Sequence, residues 1–333
     1  MKMSLTFVCL MLVFGEVNAK TWTVSPRPGA SFTTISGAVG SSSVLSGDTI
    51  LVSGSAQAYA GFNTSKRLTI IGPGFFLNEN TGLQADTNSA RVSSAVTLSG
   101  AGTTVTGMHF QQSLFVNADN ITITRCKMQT TAAGTYPLYI YAKDSVVVRQ
   151  CYIIQSANYY YSTVTILSGA TQIFIQNNFI EYAGGNNSYG SFDINGTITG
   201  DISNNVIFGD FDNVSGGFTF NNNILRSGAF STTGVTPYNN IANGTQFGNQ
   251  NGNQENVSMS SVFVGTGSQD AQWQLAGGSP ALGAGFGGVD CGMFDNSAGY
   301  GYVLSGIPAV PSIYEFTADP GLNNVTVKVK SHN

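Results

Sequence analysis

The sequence has few charged residues and few histidines. Only 9% of its 333 residues are Asp, Glu, Lys or Arg, against about a quarter in an average globular domain. Thirteen residues are basic and the net charge is −4, so the chain lacks the basic footprint that nucleic-acid binding needs. The only histidines, His109 and His332, argue against a His-based metal site or catalytic triad.

Long apolar runs are also scarce. Residues 1–19 contain Lys2, an apolar run at 5–14, and Val17-Asn18-Ala19 before Lys20. Small residues three positions and one position before a cleavage point are typical of a secretory signal peptide. We therefore predict a signal peptide at 1–19 and a secreted or cell-surface protein. No later stretch reaches the length of a membrane span, so we predict no membrane insertion.

Turn residues and aromatic residues are abundant instead. The chain has 41 Gly, 21 Phe and 14 Tyr. A disordered chain would combine high net charge with few aromatic residues, which is the opposite of this composition. The composition predicts an all-β protein with many turns.

One short pattern returns six times between residues 105 and 225. It reads VTGMHF, ITRCKM, VRQCYI, IQNNFI, ISNNVI and FNNNIL, and its central residues are separated by 18, 25, 27, 27 and 18 positions. Repeats of this size that alternate like strands predict a solenoid. The central column, which we call the ladder, contains Met108, Cys126, Cys151, Asn178, Asn205 and Asn223.

Stacking of like residues on neighbouring coils explains this pattern. The apolar columns on either side of the ladder would form a continuous core. The Asn residues would bond to the coils above and below and tolerate a left-handed corner. Three cysteines follow the predicted signal peptide. Stacked side chains point the same way rather than at each other, which favours free buried thiols for Cys126 and Cys151 over a disulfide.

The unequal repeat lengths predict insertions at one corner of the coils. Alignment on the ladder places the extra residues at approximately 130–137, 156–163 and 183–191. On adjacent coils they would form a wall along one side of the solenoid, and such a side often binds ligands.

The two ends of the repeat region carry further motifs. SFTTISGAV, SGDTILV and KRLTIIG lie between residues 31 and 72, and GGSPALGAGFGGVDCGMF spans 277–294. These segments resemble secreted bacterial right-handed parallel β-helix proteins, especially those of Bacteroidota, with the pectate-lyase-like architecture. The resemblance covers roughly 31–295. It implies an all-β, right-handed parallel β-helix at 20–295 with an N-terminal cap, followed by a linker and short tail strand at 296–333. It says little about chemistry.

Candidate binding residues lie beside the predicted wall. The outward rows next to the ladder and the inserted segments combine aromatic rings with a few polar groups, which suits a polysaccharide. The alternative is that the rings only cover the insertions. The predicted carbohydrate-binding residues are Lys127, Tyr152, Tyr159, Tyr160, Tyr161, Phe179, Glu181 and Tyr182.

Two other functions remain open from the sequence. A polysaccharide lyase acting on an acidic glycan would need a base and a cation, for which Lys127, Arg125 and Arg149 are candidates. A structural or adhesive protein would self-associate or form part of a surface assembly. We predict no cofactor, with calcium at Asp210 and Asp212 as the alternative.

Overall fold

The computed structural model describes residues 19–156, 161–184, 189–321 and 323–331, without the side chains of 212–214. The chain is dominated by parallel β-strands in long stacked sheets, as in a parallel β-helix. Among the strand pairings of the described residues, only that between Ser312–Ala318 and Val325–Lys330 is antiparallel. No helix within the described ranges is long and apolar enough to cross a membrane.

Each complete coil visits three faces in the same order. The first face contains Thr21–Val24, Thr49–Val52, Thr69–Ile71, Thr104–Thr106, Thr122–Thr124, Asp144–Arg149, Thr171–Gln176, Ile198–Ser203 and Pro237–Tyr238. The second contains Arg91–Val92, His109–Phe110, Lys127–Thr130, Tyr152–Gln155, Phe179–Tyr182, Val206–Phe208, Ile224–Ser227 and Ile241–Ala242. The third contains Asn63–Thr64, Val96–Leu98, Leu114–Val116, Leu138–Ile140, Val164–Leu167, Phe192–Asn195 and Phe230–Thr233. Strand Phe211–Asn221 runs through both the third and first faces and joins them into one 17-stranded sheet.

Short helices and a hairpin complete the described chain. Helix Ile35–Gly40 is capped by Thr34, whose side chain accepts a hydrogen bond from Gly37 N. The remaining helical turns are Met259–Val262, Ala271–Trp273, Phe286–Gly288 and Leu304–Gly306. The antiparallel hairpin at 312–330 includes the alternating segment near the C-terminus.

The solenoid interior is built from the predicted columns. Ile123, Ile175, Ile202 and Ile153 are fully buried, and the apolar side chains on neighbouring coils are in register. Burial of each such side chain stabilises the fold by about 1.5–3 kcal/mol. The prediction of a continuous core from the repeat is confirmed.

The ladder is buried and hydrogen-bonded from coil to coil. Asn178 Oδ1 accepts from Cys151 N at 2.8 Å, and Asn205 Oδ1 accepts from Asn178 N at 3.0 Å. The series continues through Asn223, Asn240 and Asn253. Cys126 and Cys151 are free and buried, and burial raises the pKa of Cys151 well above its usual value.

The left-handed corner residue is the one before each ladder residue. Asn177, Asn204 and Asn222 have φ between 53° and 57°, whereas we predicted that the ladder Asn itself would take this conformation. The side chain that points inward and the backbone that makes the turn therefore belong to consecutive residues.

Candidate functional site

The outward side of the second sheet, which we call the covered face, lies beneath a long C-terminal segment. This segment, residues 257–307, is called the strap below. Tyr152, Phe179 and Val206 contribute to a second apolar cluster with strap residues such as Phe263 and Met293. We predicted that the row containing Tyr152 and Phe179 would form an open floor. These two side chains are instead 3% and 0% exposed, because the strap packs over them.

Stacked rings fill the centre of the covered face. The rings of Tyr152 and Phe179 lie 4.5 Å apart and nearly parallel, and Trp273 of the strap stacks on Phe179 at 4.8 Å. Tyr152 donates a hydrogen bond to the carbonyl oxygen of Gln269, and burial raises its pKa. No face of these rings is open to a glycan in this arrangement.

A buried carboxylate ties the strap to the loop near residue 80. Asp270 is fully buried and accepts hydrogen bonds from Asn80 Nδ2, Ser268 Oγ and Ser305 N at 2.6–2.9 Å, and from the Tyr302 hydroxyl at 3.3 Å. A buried charge is tolerated only when hydrogen bonds replace its water, and these donors supply that replacement.

The left-handed corner residues also hold the strap. Asn177 Nδ2 donates to the carbonyl oxygens of Met293 and Asp295 at 3.1 and 2.9 Å. The side chains of five other corner residues also form hydrogen bonds with the backbone of the strap. The pairs are Arg125 with Ile307, Gln150 with Gly301, Asn204 with Asp290, Asn222 with Phe286 and Asn239 with Ala284. The strap therefore runs back along the corner, from the late coils to the early ones. Residues 296–307, predicted as part of a linker, are packed here, with Tyr302 and Ile307 buried.

Lys127 and His109 occupy adjacent rungs on the early coils of the covered face. Lys127 is 7% exposed and its Nζ lies 4.1 Å from the centroid of the Phe76 ring. Burial lowers the pKa of Lys127 to about 8, although Glu79 and Asp270 favour its charged form. Burial lowers the pKa of His109 to about 3, with further contributions from Lys127 and Arg91.

Glu181 and Tyr182 lie at the end of strand Phe179–Tyr182, just before the third inserted segment. Burial raises the pKa of Glu181, and Arg226 acts in the opposite direction. The Arg226 guanidinium lies 3.9 Å from the Phe208 ring centroid and 4.9 Å from that of Trp273. Tyr182 is 9% exposed. Glu181 is the more accessible of the two.

A second group of rings lies on the outward side of the third face. These rings, called the tyrosine patch below, are Phe115, Tyr136, Tyr139, Tyr141, Tyr161 and Tyr189, each half-buried. Tyr136 lies 4.0 Å from Tyr161 and 4.8 Å from Tyr139 between centroids, and Tyr139 lies 4.9 Å from Tyr141. Neighbouring rings contact one another, and each of these residues is partly exposed to solvent.

The described parts of the insertions bring these rings together. All three insertions connect strands of the second face to strands of the third, as predicted. Buried Gln155 accepts from Thr130 Oγ1 and donates to the Thr135 carbonyl oxygen, both at 2.7 Å. Ser113 Oγ accepts from Tyr136 N at 2.9 Å. Of the tyrosines predicted in the wall, Tyr136, Tyr161 and Tyr189 belong to the patch, whereas Tyr159 and Tyr160 lie outside the described residues.

The electrostatic environment of the patch is negative. Asp193 is two rungs from Tyr139 in the same outward row, with Thr165 between them. Burial raises the pKa of Tyr136 and Tyr139, and Asp193 raises both further. Burial also raises the pKa of Asp193, opposed only by a hydrogen bond from Asn195. Thr165 Oγ1 is buried beneath the patch and has no hydrogen-bond partner among the described residues.

The sequence reasoning missed Phe115, Tyr139 and Tyr141. The strands Leu114–Val116 and Leu138–Ile140 alternate buried, half-buried and buried residues, so their middle residues point outward. This alternation is readable in the sequence as LFV and LYI. A second alignment, made on the third face rather than on the ladder, would have revealed the outward row.

The residues considered for lyase chemistry lie elsewhere. Arg125 bonds to the strap, and the Arg149 guanidinium lies 3.9 Å from the Tyr300 ring centroid. Lys127 is covered as described above. Within the described ranges, no three His, Cys, Asp or Glu side chains come together as a set of metal ligands. Asp210 Oδ1 accepts from Ala229 N, and the side chain of Asp212 lies outside the described part.

No protein-family model, no curated protein and no solved structure matches this chain.

Proposed function

We propose that this chain is an exported, right-handed parallel β-helix protein that binds a polysaccharide on the tyrosine patch. The clustering of six half-buried rings on one outward face carries the proposal. Sugar C–H faces pack on aromatic rings, while phenol hydroxyls exchange hydrogen bonds with sugar hydroxyls. The right hand is supported by the strong preference of parallel crossovers for that hand, and export by the signal-like segment at 1–19.

Binding without catalysis is the simplest function for this arrangement. The rings lie along a surface that spans several coils, which suits an extended chain more than a small molecule in a closed pocket. The cations considered for a lyase lie on the strap side rather than among the rings. Of the carbohydrate-binding residues predicted from the sequence, Tyr161 remains a proposed sugar contact. We add Tyr136, Tyr139 and Tyr141 as proposed contacts.

A glycan array probed with residues 20–333 tests this proposal. The wild-type protein should bind at least one polysaccharide, and Tyr136→Ala with Tyr139→Ala should weaken that binding by about 1–3 kcal/mol in total. Phe286→Ala is a matched control, because Phe286 is an exposed ring (67%) on the strap. The control should bind like the wild type.

Two outcomes would contradict the proposal. Equal glycan affinity of the double variant and the wild type would remove the patch from the binding surface. Concentration-dependent assembly without glycan affinity would favour the structural or adhesive alternative. Unsaturated, ultraviolet-absorbing products from uronic-acid polymers would favour the lyase.

A further inference from the structure

Among the described residues, no Lys or Arg side chain lies over a ring of the tyrosine patch. Five contacts between a cation and an aromatic ring occur among the described residues, and their rings are Trp22, Phe76, Tyr300, Phe208 and Trp273. None of these rings belongs to the patch. The faces of the Tyr136 and Tyr139 rings are therefore not in contact with any described Lys or Arg side chain.

Asp193 is a charged group next to these rings, and Asp212 pairs with it on the next rung. The one hydrogen bond of Asp193 to a described residue comes from Asn195 Nδ2 at 3.3 Å. The ion pairs of the described chain join Arg27 to Asp86 and Lys328 to Glu315, so Asp193 is in neither. Half-burial makes a carboxylate without a counter-charge unfavourable.

Asp193 and the rings lie within reach of a single oligosaccharide. Two rungs separate Asp193 from Tyr139, which is about 10 Å at the usual strand spacing. The same carboxylate raises the pKa of both Tyr136 and Tyr139, so its field extends over the centre of the patch.

The negative field of Asp193 should affect the binding of three classes of sugar differently. A uronic acid would bring a second negative charge beside Asp193. A neutral sugar would stack on the rings but leave the carboxylate uncompensated. An amino sugar would place its ammonium group where both the carboxylate and the ring faces attract it.

We propose that the tyrosine patch selects a glycan whose units carry protonated amines, with Asp193 as their counter-charge and Tyr136 and Tyr139 as the stacking surface. This inference rests on the proposed function, because it assigns a sugar class to the same patch. Asp193 is a specificity-determining residue in this arrangement, while the rings supply affinity that does not depend on charge.

Two oligomers with the same backbone provide the test. Isothermal titration at mildly acid pH would compare the β-1,4-linked glucosamine hexamer with cellohexaose, which has hydroxyl groups in place of the amines. We expect the glucosamine hexamer to bind about tenfold more tightly. Asp193→Asn should remove most of this preference and leave cellohexaose affinity unchanged, whereas Tyr139→Ala should weaken both oligomers.

Asp201→Asn is the matched control, because Asp201 is a hydrogen-bonded carboxylate on the first face, away from the patch. This variant should retain the full preference for the glucosamine hexamer. A melting curve for each variant would verify that the protein is folded.

The outcomes separate this inference from the proposed function. Equal affinity for the two hexamers, with both sensitive to Tyr139→Ala, would overturn the amino-sugar assignment and leave glycan binding intact. A preference that survives Asp193→Asn would also overturn it. Binding of neither hexamer, nor of any glycan on the array, would overturn both proposals.

Discussion

The covered face and the tyrosine patch are two aromatic surfaces on the same solenoid. Both display rings on outward rows of a parallel sheet. On the covered face Trp273 stacks on Phe179, and the strap removes the rings from solvent. On the patch the rings of Tyr136, Tyr139 and Tyr161 contact one another but remain half-exposed. An outward aromatic row is therefore part of a core where a distant segment covers it, and is partly exposed to solvent where no described segment does.

The largest effect should come from opening the covered face. Phe179→Ala removes a fully buried ring between Tyr152 and Trp273. We expect the free energy of unfolding to fall by about 3–5 kcal/mol without a change in glycan affinity. Chemical denaturation monitored by Trp fluorescence would measure the loss. A fall below about 1 kcal/mol would mean that the strap does not pack on this face as described.

A smaller effect is expected from releasing one hydrogen-bonded contact of the strap. Asn177→Gly keeps the left-handed corner (φ 53°) but removes the amide that bonds to Met293 and Asp295. It should destabilise the protein by about 1–3 kcal/mol, because buried carbonyls lose their donor. Hydrogen exchange should become faster in the strap around 290–295.

Asn177→Ala extends this test to the backbone. It removes the same amide and adds the cost of a left-handed alanine, about 1–2 kcal/mol. Equal stability of the Gly and Ala variants would contradict the role of this corner conformation.

The covered face should also respond to alkaline pH through Lys127. Its pKa is about 8 in the folded protein and near 10.4 in an unfolded chain. Between these values the unfolded state binds more protons, so this group makes stability rise with pH across about pH 8–10. The rise should be on the order of 1–3 kcal/mol, and the folded-state penalty of burying the charge is fully present below pH 8.

Lys127→Met isolates this contribution from other groups that titrate in alkali. The difference in unfolding free energy between the wild type and this variant should change across the window. A constant difference would show that Lys127 is solvated.

The smallest effect on stability should come from the patch. Tyr139 is half-buried on an outward row, so Tyr139→Ala should change the unfolding free energy by less than about 1 kcal/mol while weakening glycan binding. Differential scanning calorimetry and a binding assay on the same sample would measure both. A large fall in stability with unchanged glycan binding would show that Tyr139 serves packing rather than binding.

Much of the solenoid could be predicted because its signals are periodic. Ile123, Ile175 and Ile202 recur at one position of the repeat, and burial of like residues on like follows from that recurrence. The insertions were predictable for the same reason, since extra residues in an aligned repeat can only lie in a corner. Free thiols at Cys126 and Cys151 followed from stacking geometry.

The strap could not be predicted because its signals are neither local nor periodic. Whether Tyr152 is exposed depends on Trp273, which lies 121 residues away in the chain in a segment without the repeat. Consecutive Asn residues such as Asn177 and Asn178 do not reveal which one faces inward and which one turns the corner. The two roles are decided only by how both Asn residues pack in the folded protein.

The hydrogen bonds between the strap and the corner residues change how the solenoid should unfold. In a simple solenoid each coil contacts only its neighbours, so terminal coils can fray independently. Here Ala284 of the strap bonds to Asn239 on a late coil, and Ile307 at the end of the strap bonds to Arg125 on an early coil. These two corner residues are separated by five coil spacings, which is about 24 Å. Loss of the last coils would also break contacts with the early ones. The central coils should therefore unfold as one cooperative unit, and a partly unwound protein should be scarcely populated during denaturation.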